Sequence, residues 1–211
     1  MSNEQQIKVI LLGNSGVGKT SLINAIIHLD YKYKDISSTL ASYYVQKPIS
    51  YNGENYLLNI WDTAGQETYV DVTKLFFKGS EIIIFVYDIC SSNSFKDLEK
   101  WIDMAEDIIE NKHICSIVGN KNDLYLNAKI TEDEAKKLAD DKNYKFKLVS
   151  AKDDPKGVND FLATLVKEYK DKIGENTGRE RRKSIKLKDM KKSDNIKERN
   201  QIGRASCRER V

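Results

Sequence analysis

A glycine-rich octapeptide, Gly13-Asn14-Ser15-Gly16-Val17-Gly18-Lys19-Thr20, constrains this chain more than any other feature. It fits the phosphate-binding pattern G-x-x-x-x-G-K-[ST], which belongs between a strand and a helix. The flanking sequence supplies both. Ile7 to Leu12 is an apolar run with one lysine, and Lys19 to Leu29 has helical spacing. Glycines there let backbone N–H groups turn inward around phosphate oxygens, and the helix N-terminus adds positive potential. Lys19 is then expected along the β- and γ-phosphates, and the Thr20 hydroxyl on Mg²⁺.

The rest of the body alternates strands with helices. Strand candidates around Tyr44 to Tyr51 and Tyr56 to Trp61 flank Asn52-Gly53, a strong hairpin signal. Ile82 to Tyr87 and Ile114 to Gly119 are short apolar runs of the kind buried on both faces of a sheet. Asn93 to Glu110 reads as one amphipathic helix, with Phe95, Leu98, Trp101, Ile102, Ala105 and Ile109 on one side. Phe146 to Ser150 and a helix from about Val158 to Tyr169 complete the body. The fold class expected is α/β, a mostly parallel six-stranded sheet with helices on both faces and one antiparallel edge hairpin. Ligands in such sheets sit at the carboxyl ends of the strands.

Two further loops stand at such ends. Asp62-Thr63-Ala64-Gly65-Gln66 offers a carboxylate that can hold Mg²⁺ through a water, a glycine N–H for the γ-phosphate, and a glutamine to orient the attacking water. Asn120-Lys121-Asn122-Asp123 discriminates the base: a carboxylate accepts from the N1–H and exocyclic amine of guanine, and adenine lacks matching donors. Ser150-Ala151-Lys152 backs that contact, with Lys152 packing on the base.

Composition organises the remainder. Residues 1–169 carry 20 basic against 25 acidic side chains, and residues 170–201 carry 12 against 6. A mildly acidic body with a basic tail is not the pattern of a nucleic-acid-binding domain. No apolar stretch reaches 18 residues, and Met1 to Gln6 is polar, so neither a membrane span nor a secretory signal is expected. Cys90 and Cys115 lie in or beside apolar runs, where reduced thiols are expected. The domain reading is a globular body over 1–170, a basic disordered tail over 171–201, and a last segment, 202–211. That segment, IGRASCRERV, reads as the in-frame translation of a common sequencing adapter, which makes Cys207 no lipid site.

Gly13–Thr20, Thr39, Asp62–Gln66, Asn120–Asp123 and Ser150–Lys152 stand in the order and spacing of the Ras-like small GTPases, over about residues 6–170. Within them the chain most resembles a Rab: Trp61 precedes D-T-A-G-Q-E, and Phe76-Phe77-Lys78-Gly79-Ser80 resembles the Rab stretch Y-Y-R-G-A. The resemblance implies a GTP/GDP switch in membrane traffic, bound to GTP or GDP with Mg²⁺. Its nucleotide contacts would be Asn14, Ser15, Gly16, Val17, Gly18, Lys19, Thr20, Ser21, Thr39, Gly65, Asn120, Lys121, Asp123, Ser150, Ala151 and Lys152. Gln66 would be catalytic, Thr20, Thr39 and (through water) Asp62 would serve the metal, and Tyr44, Trp61 and Phe76 would form an aromatic triad read by effectors. Tyr31 or Tyr33 would cover the base or ribose edge. Implied partners are an exchange factor, a GTPase-activating protein, effectors, and a membrane if the natural C-terminus carries a lipidated cysteine. The implied location is cytoplasmic, on the cytosolic face of endomembranes. The chain departs from the Rab pattern T-I-G-x-D-F with Thr39-Leu40-Ala41-Ser42-Tyr43-Tyr44, and Asp71 and Val72 are also unusual. All seven arginines lie at 179 or later, which predicts slow intrinsic hydrolysis. A signalling GTPase outside the Rabs and a non-cycling guanine-nucleotide scaffold are the alternatives; an adenine-nucleotide kinase conflicts with Asn120–Asp123.

Overall fold

The computed structural model describes residues 5–28, 43–63, 77–107 and 113–174. The chain divides into two units, Met1–Tyr169 and Lys170–Val211. Within the first, six strands form one sheet: β1 (Gln5–Leu12), β2 (Tyr43–Tyr51), β3 (Glu54–Asp62), β4 (Ile82–Asp88), β5 (Ile114–Asn120) and β6 (Lys145–Leu148). Their order is β2-β3-β1-β4-β5-β6, antiparallel between β2 and β3 and parallel elsewhere. The described helices are α1 (Lys19–Ile27), α2 (Ser92–Lys96), α3 (Leu98–Glu106), α4 (Glu132–Asp141) and α5, over residues 155–174.

The central strands are apolar on both faces because helices cover both. Val9 to Leu12 in β1 and Ile82 to Tyr87 in β4 are buried throughout, and β5 is buried along its whole length. The edge hairpin turns where the sequence signals it. Asn52 and Gly53 both take positive φ, 51° and 78°, the conformation that matches strand twist in a two-residue turn. The C-terminal carbonyls of α1 are capped from elsewhere: Asn159 Nδ2 donates to Ala25 O at 2.9 Å, and Lys47 Nζ donates to Ile26 O.

The expected single helix over Asn93–Glu110 is two helices broken at Asp97, with residues 108–112 outside the description. Asp97 has ψ −8°, which opens the turn, and its carboxylate reaches out to Asn14 and Lys100. The apolar period passes through the break unchanged, so the pattern could not reveal it.

Tyr87 carries a buried hydroxyl with no hydrogen-bond partner among the described residues. It lies against Gly119, where an added Cβ would sit 2.6 Å from the hydroxyl oxygen. Removing an unsatisfied buried polar atom relieves its desolvation cost. Tyr87→Phe is expected to raise stability by about 1 kcal/mol, read as a higher midpoint in urea unfolding; an equal fall would show that the hydroxyl is satisfied in solution.

No described helix is long and apolar enough to cross a membrane.

Candidate functional site

The ends of β1, β3, β4 and β5 lie side by side at one edge of the sheet, and the sequence motifs leave from them. The loop after β1 is pressed against its neighbours. Gly13 has φ 144°, and a Cβ there would meet Val86 O at 2.1 Å, so only glycine lets the loop lie on β4. Gly18 has φ 95°, and a Cβ there would fall 2.3 Å from Asn120 Nδ2. Ser15 and Gly16 form the exposed tip, and Val17 is buried beneath them. Gly18 caps α1 with no side-chain bond, and the first turn, which holds Thr20 and Ser21, contains no acid. Such an uncapped helix N-terminus following a glycine loop suits an anion.

Lys19 is 5 % exposed. Its ammonium donates to Gly13 O at 2.7 Å and Asn14 O at 2.9 Å. Burial pushes this group down to about 8, and the Asp62 charge partly opposes the fall. Asp62 is fully buried at the end of β3. Its Oδ2 accepts from Thr20 Oγ1 at 2.6 Å, and its Oδ1 has no partner among the described residues. Burial raises the Asp62 carboxyl, against the lowering effects of the Thr20 bond and Lys19. A buried carboxylate with one unpartnered oxygen beside a hydroxyl fits a hydrated divalent cation, and magnesium keeps several waters in such sites. Thr63 Oγ1 donates to Leu11 O at 2.7 Å, fixing where the chain leaves β3.

Asn120 joins three loops. Its Nδ2 donates to Val17 O at 2.9 Å, and its Oδ1 accepts from the Ala151 N–H at 3.2 Å. Next to it Asp123 Oδ1 accepts from Ser150 Oγ at 2.6 Å, and Ser150 Oγ accepts in turn from the Asp153 N–H at 3.0 Å. Ser150 therefore aims the Asp123 carboxylate. Lys152 is exposed beside them. Lys121 sits at φ 67°, and its ammonium pairs with Asp88 Oδ2 at 2.6 Å.

No motif in the sequence marks Asp88. It is the residue of β4 in register with Asn120 of β5, so strand pairing alone brings it to the site. Asn14 turns its side chain to α3 and the break before it, bonding Asp97 and Trp101. No sequence signal marks that contact.

On the hairpin, Tyr44 and Trp61 are register partners whose rings stack at 5.1 Å with 24° between planes, and Tyr44 is 49 % exposed. The Lys8 ammonium lies 5.4 Å from the Trp61 ring centre. Thr39, Gly65, Gln66, Phe76, Tyr31 and Tyr33 lie outside the described residues, as does the tail beyond residue 174.

A glycine loop at the end of the first strand of a mostly parallel, helix-covered sheet defines the P-loop nucleoside-triphosphatase class of α/β protein. The family model described as Ras family matches residues 8–171. Similar proteins include Ras-related protein Rab-17 of Mus musculus, 32 % identical over 80 % of this chain and 78 % of the relative. Ras-related protein rab-11.1 of Caenorhabditis elegans is 31 % identical over 82 % of each chain. Ras-related protein SEC4 of Saccharomyces cerevisiae is 31 % identical over 83 % of this chain and 80 % of the relative. The chain belongs to the Ras family of small GTPases, as a divergent Rab-like member.

Proposed function

We propose that this GTPase is a GTP/GDP switch in membrane traffic that binds guanine nucleotide with Mg²⁺ and hydrolyses GTP slowly on its own. The observation that carries the reading is the convergence of Lys19, Thr20 and Asp62 at one end of the site and Asp123 with Ser150 at the other, joined by Asn120. Phosphates would lie on the Asn14–Ser21 backbone and Lys19. The base would lie on Asp123, Lys121, Ala151 and Lys152, where a carboxylate pairs with the two N–H groups that guanine presents and adenine does not. Mg²⁺, when bound, would neutralise charge on the β- and γ-phosphates, with Thr20, Thr39 and the water held by Asp62 around it. Gln66 would orient the attacking water, and Thr39 and Gly65 would hold the γ-phosphate only in the GTP state. Tyr44, Trp61 and Phe76 would face effectors.

The chain has no arginine in residues 1–178, so nothing in the body can neutralise transition-state charge with a planar fork. An activating protein would supply that arginine, and an exchange factor would release GDP. The domain reading, a GTPase body over 1–170 and a basic tail over 171–201, suits a protein held on the cytosolic face of endomembranes, through a lipidated end if the natural C-terminus carries a cysteine. Single-turnover hydrolysis by the purified protein tests the catalytic part. The expected rate is on the order of 10⁻⁴ to 10⁻³ s⁻¹, rising about 10³–10⁵-fold with an arginine supplied in trans. A rate near 1 s⁻¹ without a partner, within the range of arginine-assisted turnover, would contradict it.

A further inference from the structure

We infer that Asp97 is a positioning residue for the phosphate loop, acting through Asn14 on Lys19. This rests on the GTP-binding reading of that loop and adds to it a residue from outside every nucleotide motif. Asn14 spends its whole side chain on α3 and the break before it. Its Nδ2 donates to Asp97 Oδ2 at 2.7 Å, and its Oδ1 accepts from Trp101 Nε1 at 2.9 Å. An acceptor on one side and a donor on the other permit a single orientation of the amide. The main-chain carbonyl of the same residue accepts from Lys19 Nζ at 2.9 Å. Fixing the Asn14 side chain therefore fixes one of the two carbonyls that place the ammonium.

The anchor is itself rigid. Trp101 is 4 % exposed and packs in the main hydrophobic cluster. Asp97 stands at the break between α2 and α3, and its other oxygen takes a 2.6 Å bond from Lys100. The bonds from Lys100 and Asn14 hold its carboxyl below the usual range, so it is ionised at neutral pH. An ionised acceptor facing an amide donor is the strong form of a hydrogen bond. A second carboxylate in place of the amide would turn that attraction into repulsion at the same distance. Asp97 sits where α2 gives way to α3, and its carboxylate faces the loop while its backbone stays hydrogen-bonded to Asn93 and Trp101.

The test compares wild type, N14D, D97N and the exchanged pair N14D/D97N in Mg²⁺, using fluorescent GDP and GMP as ligands. N14D is expected to bind GDP about 10- to 100-fold more weakly, a loss of roughly 1.4–2.8 kcal/mol. Its binding of GMP should fall less than about threefold, since GMP has no β-phosphate for Lys19 to meet. D97N keeps a neutral acceptor and should lose about threefold to fivefold. The exchanged pair again has one carboxylate and one amide at the contact, and it should return to within about threefold of wild type. That rescue, and the contrast between GDP and GMP, are what a general loss of packing would not produce. The inference is overturned if N14D binds GDP as wild type does, if the exchanged pair stays as weak as N14D, or if GDP and GMP weaken alike. Wild type that fails to bind GDP would remove the GTP-binding reading and the inference together, whereas normal wild-type binding with an unaffected N14D removes the inference alone.

Discussion

Lys19→Met should cut GTP affinity by about 30-fold to several thousand-fold, the effect of truncating one partner of a buried, hydrogen-bonded charge pair at 2–5 kcal/mol. The side chain lies under the loop on two carbonyls, so its ammonium is placed before any phosphate arrives, and little ordering cost falls on binding. Its burial also leaves a signature in the nucleotide-free protein. The folded ammonium sits at about 8 against an ordinary 10.5, so between those values the unfolded chain binds more protons. Stability contributed by this group therefore climbs with rising pH through that window and is at its lowest below it. Subtracting the pH–stability curve of K19M from that of wild type should leave that upward slope. Isothermal titration with GTP reads the binding loss; K19M binding within threefold of wild type would show that the ammonium does not meet phosphate.

Asp123→Asn should lower GTP affinity on the order of 10³-fold and leave the fold intact. A site built to hydrogen-bond a donor pair rejects a mismatched partner by about 10⁴–10⁵ at most, and the amide still offers one acceptor. The Asp123 carboxylate is aimed by Ser150 at 2.6 Å, and an amide can accept that bond through its oxygen while turning its N–H₂ to the ligand. Xanthosine triphosphate carries a carbonyl where guanine has its exocyclic amine. The variant should therefore bind it more tightly than GTP. Competition between the two nucleotides measures the reversal. Retained preference for GTP would mean that Asp123 does not read the base.

The central strands could be read to within a residue or two because they are buried on both faces. A run such as Ile82 to Tyr87 has few other places to go. Helix α4 left no comparable trace. Its core-facing residues are Ala135 and Ala139, too small to mark an apolar stripe among eight mostly charged neighbours. The turn over Asn122–Asn127 buries nothing, so periodicity had nothing to report. The loop motifs were legible because their chemistry fixes residue type and spacing together. What the motifs could not supply was their support. Asp88 reaches Lys121 only through strand register, and Trp101, read from its period as one more apolar contact, also donates its indole N–H to the phosphate loop.

The Tyr44–Trp61 stack, with Tyr44 exposed, lies on the β2–β3 hairpin, where the Lys8 ammonium of β1 approaches the Trp61 ring, away from the strand ends that hold Asp123 and Ser150. Base recognition and the aromatic surface are therefore carried by different parts of the sheet, and substitutions at one should spare the other.

The central claim is that this chain holds a guanine nucleotide with Mg²⁺. Competitive displacement of fluorescent GDP by GTP and by ATP, with and without EDTA, tests it most directly. The account predicts that GTP displaces the probe at least about 10³-fold more effectively than ATP, the scale of rejection expected from unpaired polar groups, and that EDTA speeds its release. Equal displacement by ATP and GTP, or release indifferent to EDTA, would contradict it.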